Sequence, residues 1–301
     1  MKKFLKWFTI LFVMCAAGLA IAGVVFKSAS GKVKESLFLE DTQHPTFINV
    51  GEGVELRIYP DSYNNAYKAP LDTLVIDLLT PTGKAIRADT PYPGIRLDYS
   101  GTQSASIVDK YYRTGFRSAD EGIELIGIPP PGTYGSKGDI SWADDERTVE
   151  MVNTAIDRIV TELQPKKIVV SGHSSTGKIA AGLMTYRTDI DCLVVSHAYF
   201  DNNESLARFG WKQSPTGNPK PYNFAANLSN FLDDDKRIVH ILSSEADKIV
   251  PHEQSMKLRD ALVELEQDVR LLNLNYEGLP DHGSTSYALK YAVACARALV
   301  K

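Results

Sequence analysis

A β-branched run that stops abruptly at a serine carries the first chemical possibility in this chain: Lys167-Ile168-Val169-Val170-Ser171-Gly172-His173-Ser174-Ser175-Thr176-Gly177-Lys178. Small residues, Ala180, Ala181 and Gly182, follow at helical spacing. A strand that turns sharply into a helix lifts a serine Oγ above the strand end, on a strained backbone with little room two residues to either side. Gly172 meets that demand before Ser174. After it Thr176 meets the demand only loosely, because the glycine arrives one residue late at Gly177. Taking Ser175 as nucleophile uses Gly177 but puts His173 at the crowded position, so Ser174 is the candidate nucleophile. The bland alternative is a glycine- and serine-rich joint with no chemistry. A serine hydroxyl is a poor nucleophile at neutral pH, so it needs an imidazole to take its proton and a carboxylate to orient that imidazole. It also needs donors for the oxyanion that forms.

The later sequence supplies both partner types. Arg237 to Leu242 reads as a buried strand, and Ser243 to Pro251 follows as a polar loop carrying Glu245 and Asp247. Val269 to Tyr276 reads as the last strand, and the loop Glu277 to Ser284 after it carries His282. The other histidines have plainer readings. His240 lies inside a strand, His44 precedes a proline, and His252 opens a helix. His197 ends a strand near the site and lines the pocket, and His173 shapes the turn.

A serine on a strand-to-helix turn, followed in chain order by an acid and a histidine, each on the loop after a later strand, resembles the α/β-hydrolase family. The resemblance covers roughly Val54 to Val300. It implies a mostly parallel central sheet with helices on both faces and a small lid insertion. The family's acid loop has an aspartate just before Ile-Val-Pro, which makes Asp247 the acid, with Glu245 as runner-up, and His282 the base. One oxyanion donor is then the N–H of Ser175. The second comes from the loop after an earlier strand, here Gly94 to Tyr99, where Ser100-Gly101 stands in place of His-Gly; the donor is Thr102, or alternatively Gly101. Pro129 to Ser136 resembles the family's Asp-x-Pro-Gly-x-Gly-x-Ser loop, with proline where the aspartate is usual. A serine nucleophile separates the chain from the dehalogenase and epoxide-hydrolase branches, which use aspartate. The resemblance implies a serine hydrolase, lipase-like or esterase-like, that cleaves a small-molecule acyl ester or lipid through an acyl-enzyme. A thioesterase or peptidase of the same fold, or an inactive surface binding module, is the alternative.

The elements that must position these residues are legible in outline. Val54, Leu56 and Ile58 alternate with polar neighbours as a half-buried strand does, and Leu74 to Leu79 is a second strand stopped by Thr80-Pro81-Thr82-Gly83. These two are expected to open an antiparallel edge, while the later strands alternate with helices and so are expected to be parallel. From Ala143 to Leu163 an apolar stripe at helical spacing must bury against the sheet. Tyr199 to Asp235 has no clean period and carries Phe209, Trp211, Tyr222 and Phe224. An irregular stretch of this length is often functional, and the family often inserts a lid here. Trp211 and Phe224 are expected to face an acyl group, unless the aromatics pack the lid onto the body.

Composition sets the bounds. With 301 residues, 44% hydrophobic content and a net charge of −4, the chain has ample core and no nucleic-acid footprint. No Cys/His spacing or glycine-rich loop implies a metal, nucleotide or other cofactor. The three cysteines build no disulfide framework, Cys192 and Cys295 reading as core residues. Trp7 to Phe26 is an uncharged run behind Lys2, Lys3 and Lys6, long enough to span a bilayer. Ala20-Ile21-Ala22 fits a signal-cleavage pattern as well. Residues 1–27 are therefore expected to be a membrane anchor or signal peptide, 28–53 a tether, and 54–301 the hydrolase domain with its lid near 199–235. The basic N-terminus predicts a catalytic domain on the non-cytoplasmic side of the membrane, or secreted or periplasmic after cleavage.

Overall fold

The computed structural model describes residues 46–60, 71–81, 84–87, 95–98, 123–209, 218, 220–232, 237–247, 249–274, 282 and 285–300. Every described residue lies in the compact unit 37–301. In order the elements are β1 (Phe47–Gly51), β2 (Val54–Arg57), β3 (Tyr59–Pro60), β4 (Thr73–Leu78), β5 (Lys84–Arg87), β6 (Ile95–Asp98), β7 (Ile123–Ile128), α1 (Glu146–Leu163), β8 (Lys167–His173), α2 (Ser175–Gly182), β9 (Cys192–Ser196), α3 (Asn202–Phe209), α4 (Phe224–Asn227), β10 (Ile238–Ser243), α5 (His252–Glu264), β11 (Asp268–Asn273) and α6 (Thr285–Val300).

Seven strands form one sheet in the order β11-β10-β9-β8-β4-β7-β3, parallel throughout except where β3 meets β7. β4 and β9 are buried along their whole length, as strands covered on both faces must be. Their side chains divide by the period of two. Leu74, Ile76, Ile168, Val170, Leu193 and Val195 join one core with the apolar faces of α1, α2 and α5. Val75, Val169, Cys192 and Val194 point the other way, into a second core closed by Leu289, Ala292 and Val293 of α6. Helices therefore cover both faces. The chain leaves β4 towards β7, and α1 then carries it back to the far side of β4 as β8. Such a reversal of strand order opens a crevice at the carboxyl ends of the two central strands, which is where α/β sheets bind ligands.

Local chemistry explains why α1 starts and stops where it does. The Asp145 side chain caps the helix by accepting from Arg147 N at 2.9 Å, and Gln164 ends it in the left-handed conformation, φ 48°. The stripe Val149, Val152, Ile156, Ile159 and Leu163 is buried as its spacing requires.

The structure corrects several expectations. β2 pairs antiparallel with β1 in a separate two-stranded sheet, and β4 sits at the centre of the main sheet. β4 is no edge strand, because β7 and β8 both pair with it in parallel. The strand at Ile95–Asp98 pairs antiparallel with β5, away from the main sheet. The described residues of segment 199–235 include the short helices α3 and α4. Phe224 is 1% exposed, its ring 6.0 Å from that of Phe200, so it packs this segment onto the body. Trp211 lies outside the described residues, as does Trp7–Phe26. Among the described residues no helix is long and apolar enough to cross a membrane.

Cys192 and Cys295 form a disulfide that ties β9 to α6 across 103 residues of chain. The reading of both as plain core residues missed this bond. His240 lies beside it, yet sulfurs bonded to each other present no thiolate to an ion. Closing a loop of this length restricts the unfolded chain by about 4–5 kcal/mol in the entropic account. For a domain of this size that is worth roughly 10 °C in Tm. The double variant Cys192→Ala/Cys295→Ala is expected to melt about 10 °C lower by circular dichroism, and an unchanged Tm would contradict this.

Candidate active site

The turn between β8 and α2 holds Ser174 at φ 55°, ψ −119°, a strained conformation for a residue with a side chain. Two flanking glycines make the turn possible. A Cβ on Gly172 would lie 2.4 Å from the Thr176 carbonyl oxygen, and one on Gly177 would lie 2.9 Å from the Ala198 Cβ. The late glycine thus serves a different contact from the first, letting α2 approach the exit of β9. Thr176 fills its own position through its hydroxyl. Its Oγ1 accepts from His173 N at 3.2 Å and donates to Leu78 O at 2.9 Å, joining the turn to the end of β4. Thr80 adds a second tie, donating to His173 O at 2.7 Å with its oxygen 2.8 Å from Thr176 Oγ1.

The other residues of the site arrive from the carboxyl ends of neighbouring strands. Asp247, after β10, is buried; its Oδ1 accepts from Ile249 N at 2.8 Å and Val250 N at 2.9 Å. Its Oδ2 lies 2.8 Å from Nδ1 of His282, and Nε2 of His282 lies 3.0 Å from Ser174 Oγ. Serine, imidazole and carboxylate therefore form one continuous hydrogen-bonded line. Glu245 is excluded from that line, because it points outward and accepts from Asn273 Nδ2 at 2.7 Å. Ser175 is the first residue of α2, where amides have no acceptor within the helix and can face an anion. Thr102 lies outside the described residues, and the strand expected to lead into it belongs to another sheet.

Two further histidines flank His282. The ring centroids of His173 and His197 lie 5.1 Å and 5.9 Å from its own. His197 is 1% exposed and backs the base. Burial pushes its pKa down to about 4, the nearby Asp247 opposing and His282 adding to the effect. Burial likewise holds His173 well below the ordinary histidine value, with His282 and His197 acting in the same direction. Both imidazoles are therefore neutral at neutral pH. Beneath the turn, the buried Lys178 reaches Asn202 Oδ1 at 3.2 Å and Asp144 Oδ2 at 3.4 Å, joining α2 to the start of α3. Sequence reading passed over Thr80, Ser196 and Lys178, whose types and spacing match no motif.

Neither a protein-family model nor a curated relative matches the sequence. By structure the chain is similar to the Pyrococcus furiosus esterase Pf2001, with TM-score 0.54 and 10% identity over 90% of this chain and 95% of that one. It is also similar to Est1E from Butyrivibrio proteoclasticus, with TM-score 0.51 and 12% identity over 85% and 98%. A third likeness is to Pyrococcus horikoshii acylaminoacyl peptidase, with TM-score 0.50 and 14% identity over 79% of this chain and 38% of the peptidase. The chain thus spans well under half the length of that peptidase. With its sheet order and its strand-turn-helix at β8, the chain has the α/β-hydrolase fold.

Proposed function

We propose that the chain is a serine hydrolase that cleaves an ester-type acyl substrate through an acyl-enzyme. The observation that carries this reading is the line Ser174, His282, Asp247, with contacts of 3.0 and 2.8 Å, at the crevice where the strand order reverses. As Ser174 Oγ attacks the carbonyl carbon, Nε2 of His282 takes its proton. Asp247 keeps the remaining proton on Nδ1 and stabilises the imidazolium. The two amides on Oδ1 keep that carboxylate from rotating away. His282 then gives its proton to the leaving alcohol, and water reverses the sequence to release the acid.

The oxyanion needs two donors. Ser175 N–H is one. The loop after β4 supplies the other in this reading, because β4 lies beside β8 and Thr80 is tied to the turn. Among the described residues of that loop Leu79 N–H is committed to Ile128 O at 3.0 Å and Pro81 has no N–H, so this reading takes Thr80 N–H in place of Thr102. An ester is favoured over a peptide as substrate by the two esterases, which match over nearly their whole lengths. The Cys192–Cys295 bond fits a catalytic domain on the non-cytoplasmic side, since disulfides persist in oxidising compartments.

The purified chain is expected to hydrolyse p-nitrophenyl acetate well above the rate in buffer alone. Release of p-nitrophenol no faster than in buffer, for short and medium acyl chains alike, would refute the proposal.

A further inference from the structure

Ser196, the last residue of β9, touches three parts of the site at once. Its carbonyl accepts from Ser174 N at 2.8 Å. Its Oγ lies 2.8 Å from Nδ1 of His197 and 3.2 Å from Nδ1 of His173, and the side chain is fully buried. One hydroxyl between two imidazole nitrogens restricts where protons can sit. If both Nδ1 atoms carried protons, the serine proton would have no acceptor. If both were bare, one nitrogen lone pair would face an oxygen lone pair. Only opposite tautomers satisfy the serine and both rings, and an unmade hydrogen bond in such a buried place is costly.

Resting on the hydrolase reading of this site, we propose that Ser196 is a positioning residue that holds His173 and His197 in opposite neutral tautomers as the two walls of the base. His197 is kept in this place at a positive φ of 48°, a strained conformation for a non-glycine residue. Among the described residues its buried Nε2 has no hydrogen-bond partner, and Ser196 is the polar group that fixes its ring. The titratable groups acting on the pair are His282 and Asp247. A proton added to the ring whose Nδ1 accepts from Ser196 would break that bond, and a proton on either ring would place a charge beside the imidazolium that turnover creates. Opposite tautomers thus leave His282 as the proton carrier, and the rings limit its rotation away from Ser174.

Nitrogen-15 spectra of the histidine-labelled full chain at pH 7, with signals identified through His173→Gln and His197→Gln, read the tautomers directly. The proposal expects one of the two rings protonated at Nδ1 and the other at Nε2. The same tautomer in both, or an imidazolium in either, would overturn it. In Ser196→Ala the two rings are expected to lose their fixed tautomers, while kcat for p-nitrophenyl acetate falls about tenfold and KM stays within twofold. Ser196→Thr, which keeps the hydroxyl, is expected to restore kcat. An unchanged kcat in a folded Ser196→Ala protein would overturn the positioning role, and if that variant does not fold, the wild-type tautomers decide. The spectra need no turnover, so failure of the hydrolase reading would appear separately, as absence of esterase activity in the wild type with its tautomers still opposed.

Discussion

Ser174→Ala is expected to lower kcat for ester hydrolysis by roughly 10⁵–10⁶-fold, the scale at which loss of a triad member removes the whole unit. Without Oγ there is no acyl-enzyme, and His282 has no proton to accept. The fold should survive, because the turn is held by contacts that Ala keeps: Ser174 N to Ser196 O at 2.8 Å, and the Thr176 and Thr80 bonds to His173. Ser175→Ala should retain activity, since its backbone N–H is the group the account uses. Steady-state rates on p-nitrophenyl acetate check both variants. Loss of activity in Ser175→Ala with retention in Ser174→Ala would move the nucleophile by one residue.

The second large effect concerns the acid. Asp247→Asn is expected to reduce kcat by about 10⁴-fold with a modest change in KM, because an amide facing His282 Nδ1 can favour the tautomer that leaves Nε2 protonated and unable to accept. Glu245→Gln, two residues away, should stay within twofold of wild type, because its carboxylate is exposed and bonded to Asn273. Measured kcat values for the pair separate the two carboxylates. Loss in Glu245→Gln together with full activity in Asp247→Asn would contradict the line of hydrogen bonds at 2.8 and 3.0 Å.

The nucleophile turn, the acid loop and the histidine loop were legible because each depends on a few adjacent residues whose backbone demands are local. Gly172 before Ser174 and Ile249-Val250-Pro251 after Asp247 are such signals. What was not legible depends on pairing at a distance. β4 and β2 both read as strands, but strand pairing places one at the centre of the sheet and the other in a separate hairpin. Thr102 followed from taking Gly94 to Tyr99 as the strand beside the site, and Thr80 came into view only once β4 was placed next to β8. Cys192 and Cys295 look like ordinary buried residues until β9 and α6 are packed together. Thr176 looked like a departure from the glycine the turn prefers; its hydroxyl replaces close backbone approach with two hydrogen bonds. Ser196 had no sequence signal, because a serine at the end of a strand is common and its two histidine partners come from different strand ends.

Labelling the folded full-length chain with a fluorophosphonate, followed by digestion and mass mapping of the modified peptide, tests the central claim most directly. The account predicts one phosphonylated residue, Ser174, and labelling that is lost in His282→Ala, where no imidazole activates the hydroxyl. An unlabelled chain, or a label on Ser175 or any other residue, would contradict it.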